Sequence, residues 1–342
     1  MAVTFPAQAK ITPSFSEPNW VVTYAQASGC WSLLPEGKPT VKIGSDDLAV
    51  YINHLDIRSQ AQSAQFAPNF LPSATLKGSF YQTATYLIRV RADYDRHDMA
   101  AAANYAVGLP SAYELAMRQG IFQQARTALL YGLTPSNGEG LLNAPGATLV
   151  NLPPDPYGAT TVTTYDNGAM AIFILQEIVD IINRMYMTGG NMKGIKVRIL
   201  SPQRIFVNFQ ISQIVQVTSF QRPGGGTATV GQTVQEVLSE AGIDLEWGYD
   251  DTLIGKGSGG ADAVIITVPE LEIPVIPGIN TNEFGEVNPN MKAVNLQYAD
   301  MPAPMKIPTP IPDGGITEVY EQRFTCGWNI RPQGLSIISM TY

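Results

Sequence analysis

Between Thr83 and Asp93 the chain alternates as a half-buried strand does. Ala84, Tyr86, Ile88, Val90 and Ala92 fall on one face; Thr83, Thr85, Arg89, Arg91 and Asp93 fall on the other, with Leu87 the exception. The pattern predicts a long strand near residues 80–94, and a second is predicted near residues 48–57. Between them SQAQSAQFAPNFLPSATLKG is poor in charge and rich in Gln, Ser and Ala. A two-stranded excursion of this length is marginal alone in water, so it calls for a surface to lie on.

The period then changes. In SAYELAMRQGIFQQARTALLYG, residues Ala112, Leu115, Phe122, Ala125 and Leu129 recur at roughly helical spacing, which predicts a spine helix over 110–131. Ser111 and Glu114 read as a capping box at its start and Gly132 as its C-terminal stop. After the turn-rich GLTPSNGEGLLNAPGA, Asp166 or Asn167 caps a second predicted helix, 170–187, with Ile172, Leu175, Ile178, Val179, Ile182 and Met185 inward and Gly189–Gly190 at its end. GIKVRILSPQRIFVNF reads as a strand and a turn. Thr233 and Glu236 read as a capping box for a short helix through Ala241, stopped by Gly242. LEWGYD and ADAVIITVPE read as strands, and 269–315 as short extended pieces punctuated by proline. The last 27 residues read as two strands joined near Arg331–Pro332. The mixture is α+β, without an internal repeat.

Composition adds a second hint of buried surface. Of the 342 residues 45% are hydrophobic and only 15% charged, against about 25% charged in typical soluble chains. Residues 1–45 show no sustained period, yet carry Trp20, Val21, Val22, Tyr24, Trp31, Leu33 and Leu34, which want a surface, such as that of a neighbouring chain. The net charge of −8 argues against wrapping nucleic acid over the whole surface. Cys30 and Cys326 stand far apart and form neither a disulfide framework nor a zinc pattern. No segment has the apolar length of a membrane span or signal core, so the expectation is a protein made and kept in a cytosol, with no membrane partner.

Candidate chemistry is thin. His54 and His97 are the two histidines, and neither sits in a catalytic pattern. GKGSGG at 255–260 departs from the phosphate loop, with Asp250 and Gly257 where Gly and Ser/Thr belong, and from G-x-S-x-G, with Lys256 in place of the first Gly. It reads as a flexible loop, as does Gly224–Gly226. Asp93, Asp95 and His97 would share one face if the strand continued, and so could converge on a metal. The competing reading is a solvated strand end beside Arg96 and Asp98. The adjacent carboxylates Asp46–Asp47 and Asp250–Asp251 point apart on a strand and do not suggest an acid–base pair. The expectation is no enzyme, no catalytic or metal site and no cofactor.

The order of parts carries a resemblance. An apolar N-terminal arm, a long two-stranded excursion and a spine helix are followed by Tyr131–Gly132 and the run Gly140–Leu141–Leu142–Asn143–Ala144–Pro145–Gly146. A compact α/β part follows, then a strand pair with Arg323 and Arg331–Pro332. This resembles the major capsid proteins of tailed bacteriophages, the Hong Kong 97-type fold shared with encapsulins. The resemblance implies an N-terminal arm at 1–45, an extended loop at 46–95 and a peripheral domain at 96–165 around the spine helix. It further implies an axial domain at 166–315 and return strands of the peripheral domain at 316–342.

The function it implies is a major capsid protein that self-assembles, as hexamers and pentamers, into an icosahedral phage head enclosing double-stranded DNA held by non-specific contacts. The alternative is an encapsulin-like compartment. Scaffolding, portal and decoration proteins are the further implied partners. The implied location is the virion, assembled in the host bacterial cytoplasm. Expected inter-subunit contacts are Arg89, Arg91, Lys77, Trp20 and Trp31. One branch of the family crosslinks a loop lysine to an asparagine; here Lys77 stands near the loop tip, but no motif places its partners, so uncrosslinked particles are expected.

Overall fold

The computed structural model describes residues 39, 41–58, 75–104, 108–185, 194–212, 229–269, 296–312 and 314–342. Trp20, Trp31, the excursion tip, Gly189–Gly190 and Gly224–Gly226 lie outside the described residues. In chain order the elements are β1 (Val41–Lys42), β2 (Ala49–Arg58), β3 (Thr75–Tyr94), α1 (Arg96–Asn104), α2 (Leu109–Tyr131), β4 (Thr148–Asn151), α3 (Asn167–Met185), β5 (Lys196–Ser201), α4 (Gln203–Ile211), α5 (Val230–Glu240), β6 (Asp244–Tyr249) and β7 (Asp262–Thr267). Then come β8 (Leu296–Gln297), β9 (Ala299–Asp300), β10 (Met305–Pro310), β11 (Ile316–Thr325), β12 (Trp328–Asn329) and β13 (Leu335–Met340).

β3 is the strand that two neighbours share. Its first half pairs antiparallel with β2, Ala49 opposite Ala84, and its second half with β11, Tyr94 opposite Ile316. With β10 outside β11 this makes a four-stranded sheet in the order β10-β11-β3-β2. The alternation read in the sequence selects its faces. Ile88 and Ala92 are buried against Met117, Ile121, Ala125 and Ala128 of α2, together with Tyr320 and Phe324 of β11.

The long spine helix is where the residues place it, but its start and its buried face differ from the sequence reading. Gly108 is the N-cap, Pro110 occupies the first turn, and no side chain caps the end. Proline is tolerated there because its missing N–H would have no partner within the helix. Ser111 therefore lies inside the helix. The buried line runs through Met117, Ile121, Ala125 and Ala128, whereas Leu115 and Phe122 are 49% and 47% exposed. α2 is apolar on more than one side, and the sheet, rather than the helix, decides which side is covered.

A second sheet has the order β4-β13-β7-β5-β6. β7 is buried at every position and β13 at all but one, as strands covered on both faces should be. On one face α3 and α5 pack with Phe209 of α4 over Val197, Ile199, Val264 and Ile338. On the other, Leu129 and Leu130 from the end of α2 and Leu141 lie over Leu200, Ile265, Leu335 and Ile337. The last strand, expected with β11 in a peripheral unit, belongs instead to this sheet, between β4 and β7. Its run of buried residues suits a central strand better than an edge.

Three local readings also change. QRIFVNFQI is helix α4, not a turn; Ile205 and Phe209, four apart, are its buried side. α5 begins one turn earlier than expected: its capping box is Thr229 with Gln232, and Thr233 lies within the helix. In α3 the predicted inward residues Ile172 and Val179 are exposed, while Phe173, Ile174 and Ile181 are buried. Gln176, Asp180 and Asn183 form an exposed polar stripe, and Ile172 and Val179 lie on it, so the outward side was marked by the polar residues rather than by the apolar spacing. Asp166 does cap it, accepting from the Ala169 N–H at 2.8 Å.

Candidate assembly surface

The face of the four-stranded sheet turned away from α2 is built in rows across the strands. Ile307, Val319 and Arg91 form one row and Met305, Glu321 and Arg89 the next. The Arg89 Nε–H donates to Glu321 Oε2 at 2.9 Å. The Arg91 Nε–H donates to both carboxylate oxygens of Asp93 at 2.8 Å, and Thr317 Oγ1 donates to Asp93 Oδ1 at 2.7 Å. The Arg91 and Thr317 donors hold the Asp93 carboxyl below the usual carboxylate range, and Asp93 in turn raises Arg91. Each arginine thus has a carboxylate partner within the subunit. Each side chain is also about two-thirds open, 64% for Arg89 and 65% for Arg91. Glu321 was not legible as a partner, because its strand register cannot be read from the chain.

The opposite face is tied to α2 by charge. Glu114 pairs with Arg118 at 2.6 Å, and Lys306 reaches Glu318 at 2.8 Å and Glu114 at 3.7 Å. Arg118 and Lys306 both lie over the Tyr320 ring. Tyr94 stacks on Tyr113 with ring centroids 5.9 Å apart. Glu114, read in the sequence as a cap, is therefore a clamp between α2 and β10. Burial raises the Glu318 carboxyl, but the Lys306 and Tyr94 hydrogen bonds outweigh it and hold the group low.

Exposed apolar groups gather on the two-stranded excursion and on α2. Tyr51 and Phe80 sit side by side across β2 and β3, 6.0 Å between ring centroids, and both are largely exposed. Lys77, also exposed, lies further out on β3 opposite Asp56 in register. Leu115 and Phe122 lie seven residues apart, two turns along one side of α2. Large exposed apolar groups of this kind mark contact surfaces more often than free ones when they cluster.

The turn that carries one exposed aromatic is closed by a buried carboxylate that sequence reasoning missed. Asp155 Oδ1 accepts from the N–H groups of Tyr157 and Ala159 at 2.9 and 2.7 Å, and Oδ2 from the Asp166 N–H at 3.0 Å. The turn so formed presents Tyr157, 87% exposed. Burial raises the Asp155 carboxyl, yet these backbone donors outweigh it and leave the group below its ordinary value. A carboxylate whose folded pKa is lowered contributes stability above its unfolded pKa, about 3.9, and loses it as pH falls through the folded value. Asp155→Asn should therefore melt below the parent at pH 7. The gap should close as the pH is taken down through the acid range, because the parent then carries a neutral group too. Melting curves at the two ends of that range check it; an equal gap at both ends would mean that the charge contributes nothing.

The remaining candidate chemistry is absorbed by structure. β3 ends at Tyr94, so Asp93, Asp95 and His97 do not share a strand face. Asp95 instead caps α1, accepting from the Asp98 N–H at 2.7 Å. Among the described residues no group of three His, Cys, Asp or Glu side chains is placed to hold a metal. GKGSGG is not a loose loop: the Gly257 N–H donates to the Ala261 carbonyl at 2.7 Å and the Ser258 N–H to Ser339 Oγ at 2.8 Å. Asp250 accepts from the Thr252 N–H at 2.9 Å, and Asp251 from the Gln203 N–H at 3.0 Å, so the two point to different partners. Burial pushes the Cys326 thiol up to about 12. Among the described residues no helix is long and apolar enough to cross a membrane.

No protein-family model matches the chain, and no curated protein does. Solved structures do. The capsid of Myoviridae phage XM1 superposes with a TM-score of 0.62 at 11% identity, over 96% of this chain and 97% of that one. The capsid of cyanophage P-SCSP1u gives 0.55 at 13% identity, over 96% and 93%. The capsid of an empty GTA particle gives 0.51 at 9% identity, over 97% and 96%. The chain has, along nearly its whole length, the fold of phage capsid subunits, the α+β fold of Hong Kong 97 type.

Proposed function

We propose that this chain is the major shell subunit of a tailed-phage head, a structural protein that assembles as hexamers and pentamers into an icosahedral particle around double-stranded DNA. The observation that carries the reading is the end-to-end match to capsid structures: both chains are covered almost completely, as for the phage XM1 capsid. The low charge content and the exposed Tyr51–Phe80 pair agree with extensive contact between copies. In this reading the arm at 1–45, with Trp20 and Trp31, and the loop at 46–95, with Lys77, Arg89 and Arg91, engage neighbouring subunits. Phage and gene transfer agent capsids among the matches favour a virion component over an encapsulin-like compartment.

Electron microscopy and light scattering on concentrated full-length protein test the reading, with closed shells expected. A monomer that persists under every condition would overturn it. Particles isolated from the native source should carry DNA; a protein cargo instead would favour the encapsulin alternative.

A further inference from the structure

Among the described residues the four-stranded sheet ends on β10, and all six residues Met305–Pro310 are exposed. An edge strand offers a row of unpaired N–H and C=O groups to any extended chain that reaches it. Which residues face outward is fixed at the end of the β10–β11 hairpin, where the Ile311 N–H donates to the Gly315 carbonyl at 2.8 Å. That pair lies one rung beyond Pro310 opposite Ile316. Residues of an antiparallel strand turn their backbone groups alternately toward the partner and away from it. Ile307, Thr309 and Ile311 therefore face β11, and Lys306, Pro308 and Pro310 face outward.

Proline has no N–H to offer. In MPAPMKIPTPIP, residues 301–312, every even position is proline except Lys306, and no odd position is. The prolines occupy the register that costs the β10–β11 pairing nothing, and they leave Lys306 as the one outward N–H donor of β10. Lysine is itself a residue that blunts edges, and Lys306 is held by Glu318 and Glu114. β2, at the other end of the same sheet, contains no proline at all.

Without this register β10 would be a hazard. It is extended and bears Met305 and Ile307, 52% and 38% exposed. A second copy brings the same strand, so the two edges could pair about a two-fold axis. We propose that the alternate prolines of β10 close this edge against strand addition by the β10 of a second copy, so that copies meet only through other surfaces. The inference concerns the subunit itself and does not depend on shell formation.

Pro308→Thr with Pro310→Thr restores two outward donors with a polar, strand-favouring residue. Full-length parent and variant are compared at matched concentration, under conditions that keep the parent soluble, by light scattering and thioflavin T fluorescence, with melting temperatures alongside. The variant should form thioflavin-positive aggregates with a lag at least about tenfold shorter. Thr309→Val, which makes the same strand more apolar without freeing an outward donor, should behave as the parent. Aggregation at the parent's rate would overturn the proposal. So would aggregation that appears only with a fallen melting temperature, or that Thr309→Val reproduces.

Discussion

Arg89→Glu with Arg91→Glu is expected to give a subunit that folds and stays soluble but builds no shells. The folding cost is small because both side chains are about two-thirds exposed. Exposed ion pairs contribute about 0–1 kcal/mol each, so losing the pairs to Glu321 and Asp93 leaves the sheet standing. The assembly cost is larger. Each guanidinium spends only part of its donors within the subunit and keeps an open side toward whatever lies on this face. Truncating one partner of a charge pair desolvated at an interface costs about 2–5 kcal/mol, and a shell repeats the loss at every subunit. Circular dichroism checks the fold and sedimentation the assembly. Arg89→Glu with Glu321→Arg separates two explanations, because it restores an opposite-charge pair inside the subunit while reversing what a neighbour meets. If that exchange assembles normally, the intrachain pair is all that matters. Normal shells from the Arg89→Glu, Arg91→Glu variant would make both arginines solvated surface.

How much of this was legible in the chain depends on the element. The alternation placed β3 and, from Ile88 to Asp93, its buried side, because a strand between a helix and solvent must alternate; β3 starts earlier, at Thr75, and Thr83, read on the other face, is buried. The spine helix was legible in extent but not in rotation. Leu115 and Phe122 satisfy helical spacing as well as Met117 and Ile121 do, and only the shape of the sheet beneath α2 separates them. α4 was missed for a different reason. Its nine residues follow Pro202 without a side-chain cap, and a short apolar run after a proline reads equally as strand end or turn.

The candidate surface was legible only where neighbours in sequence are neighbours in space. Arg91 and Asp93 are two apart on one strand, so their pairing could be read directly. Glu321 opposite Arg89, and Glu318 diagonal to Lys306, are set by the registers of β11 on β3 and β10 on β11, which the sequence does not print. The Asp93–Asp95–His97 reading failed on a boundary, since the strand stops between Asp93 and Asp95 and a helix begins. The motif Tyr131–Gly132 to Gly146 looked like a turn signal and is more than that.

That motif carries the second large effect: Gly140→Ala is expected to prevent the subunit from folding or to leave it only marginally stable. Gly140 sits at φ +89°, where a side chain is strained, and a Cβ there would stand 2.4 Å from the Gly132 nitrogen and 2.6 Å from the Tyr131 carbonyl carbon. Both are backbone atoms at the end of α2, so no flexible side chain can move aside. The same short stretch joins three parts of the fold. The Gly140 N–H donates to the Gly327 carbonyl at 3.0 Å, and Asn143 Nδ2 donates to the Tyr131 carbonyl. Glu139 accepts from the Tyr86 hydroxyl of β3 at 2.7 Å. Leu141 then enters the core shared by α2 and the five-stranded sheet. Left-handed backbone costs a non-glycine residue about 1–2 kcal/mol, and an overpacked site about 1–3 kcal/mol more. Together these come to about 2–5 kcal/mol, which at its upper end equals the whole stability of a protein at the low end of the usual range of about 5–15 kcal/mol. Gly158→Ala is the control, because Gly158 has φ +88° but nothing within 4 Å of the added carbon. It should lose only the backbone part, about 1–2 kcal/mol. Urea unfolding of both variants, with solubility as a first screen, measures the difference. Equal losses at Gly140 and Gly158 would mean that the crossing of the chain at the end of the spine helix gives way readily and does not set the geometry.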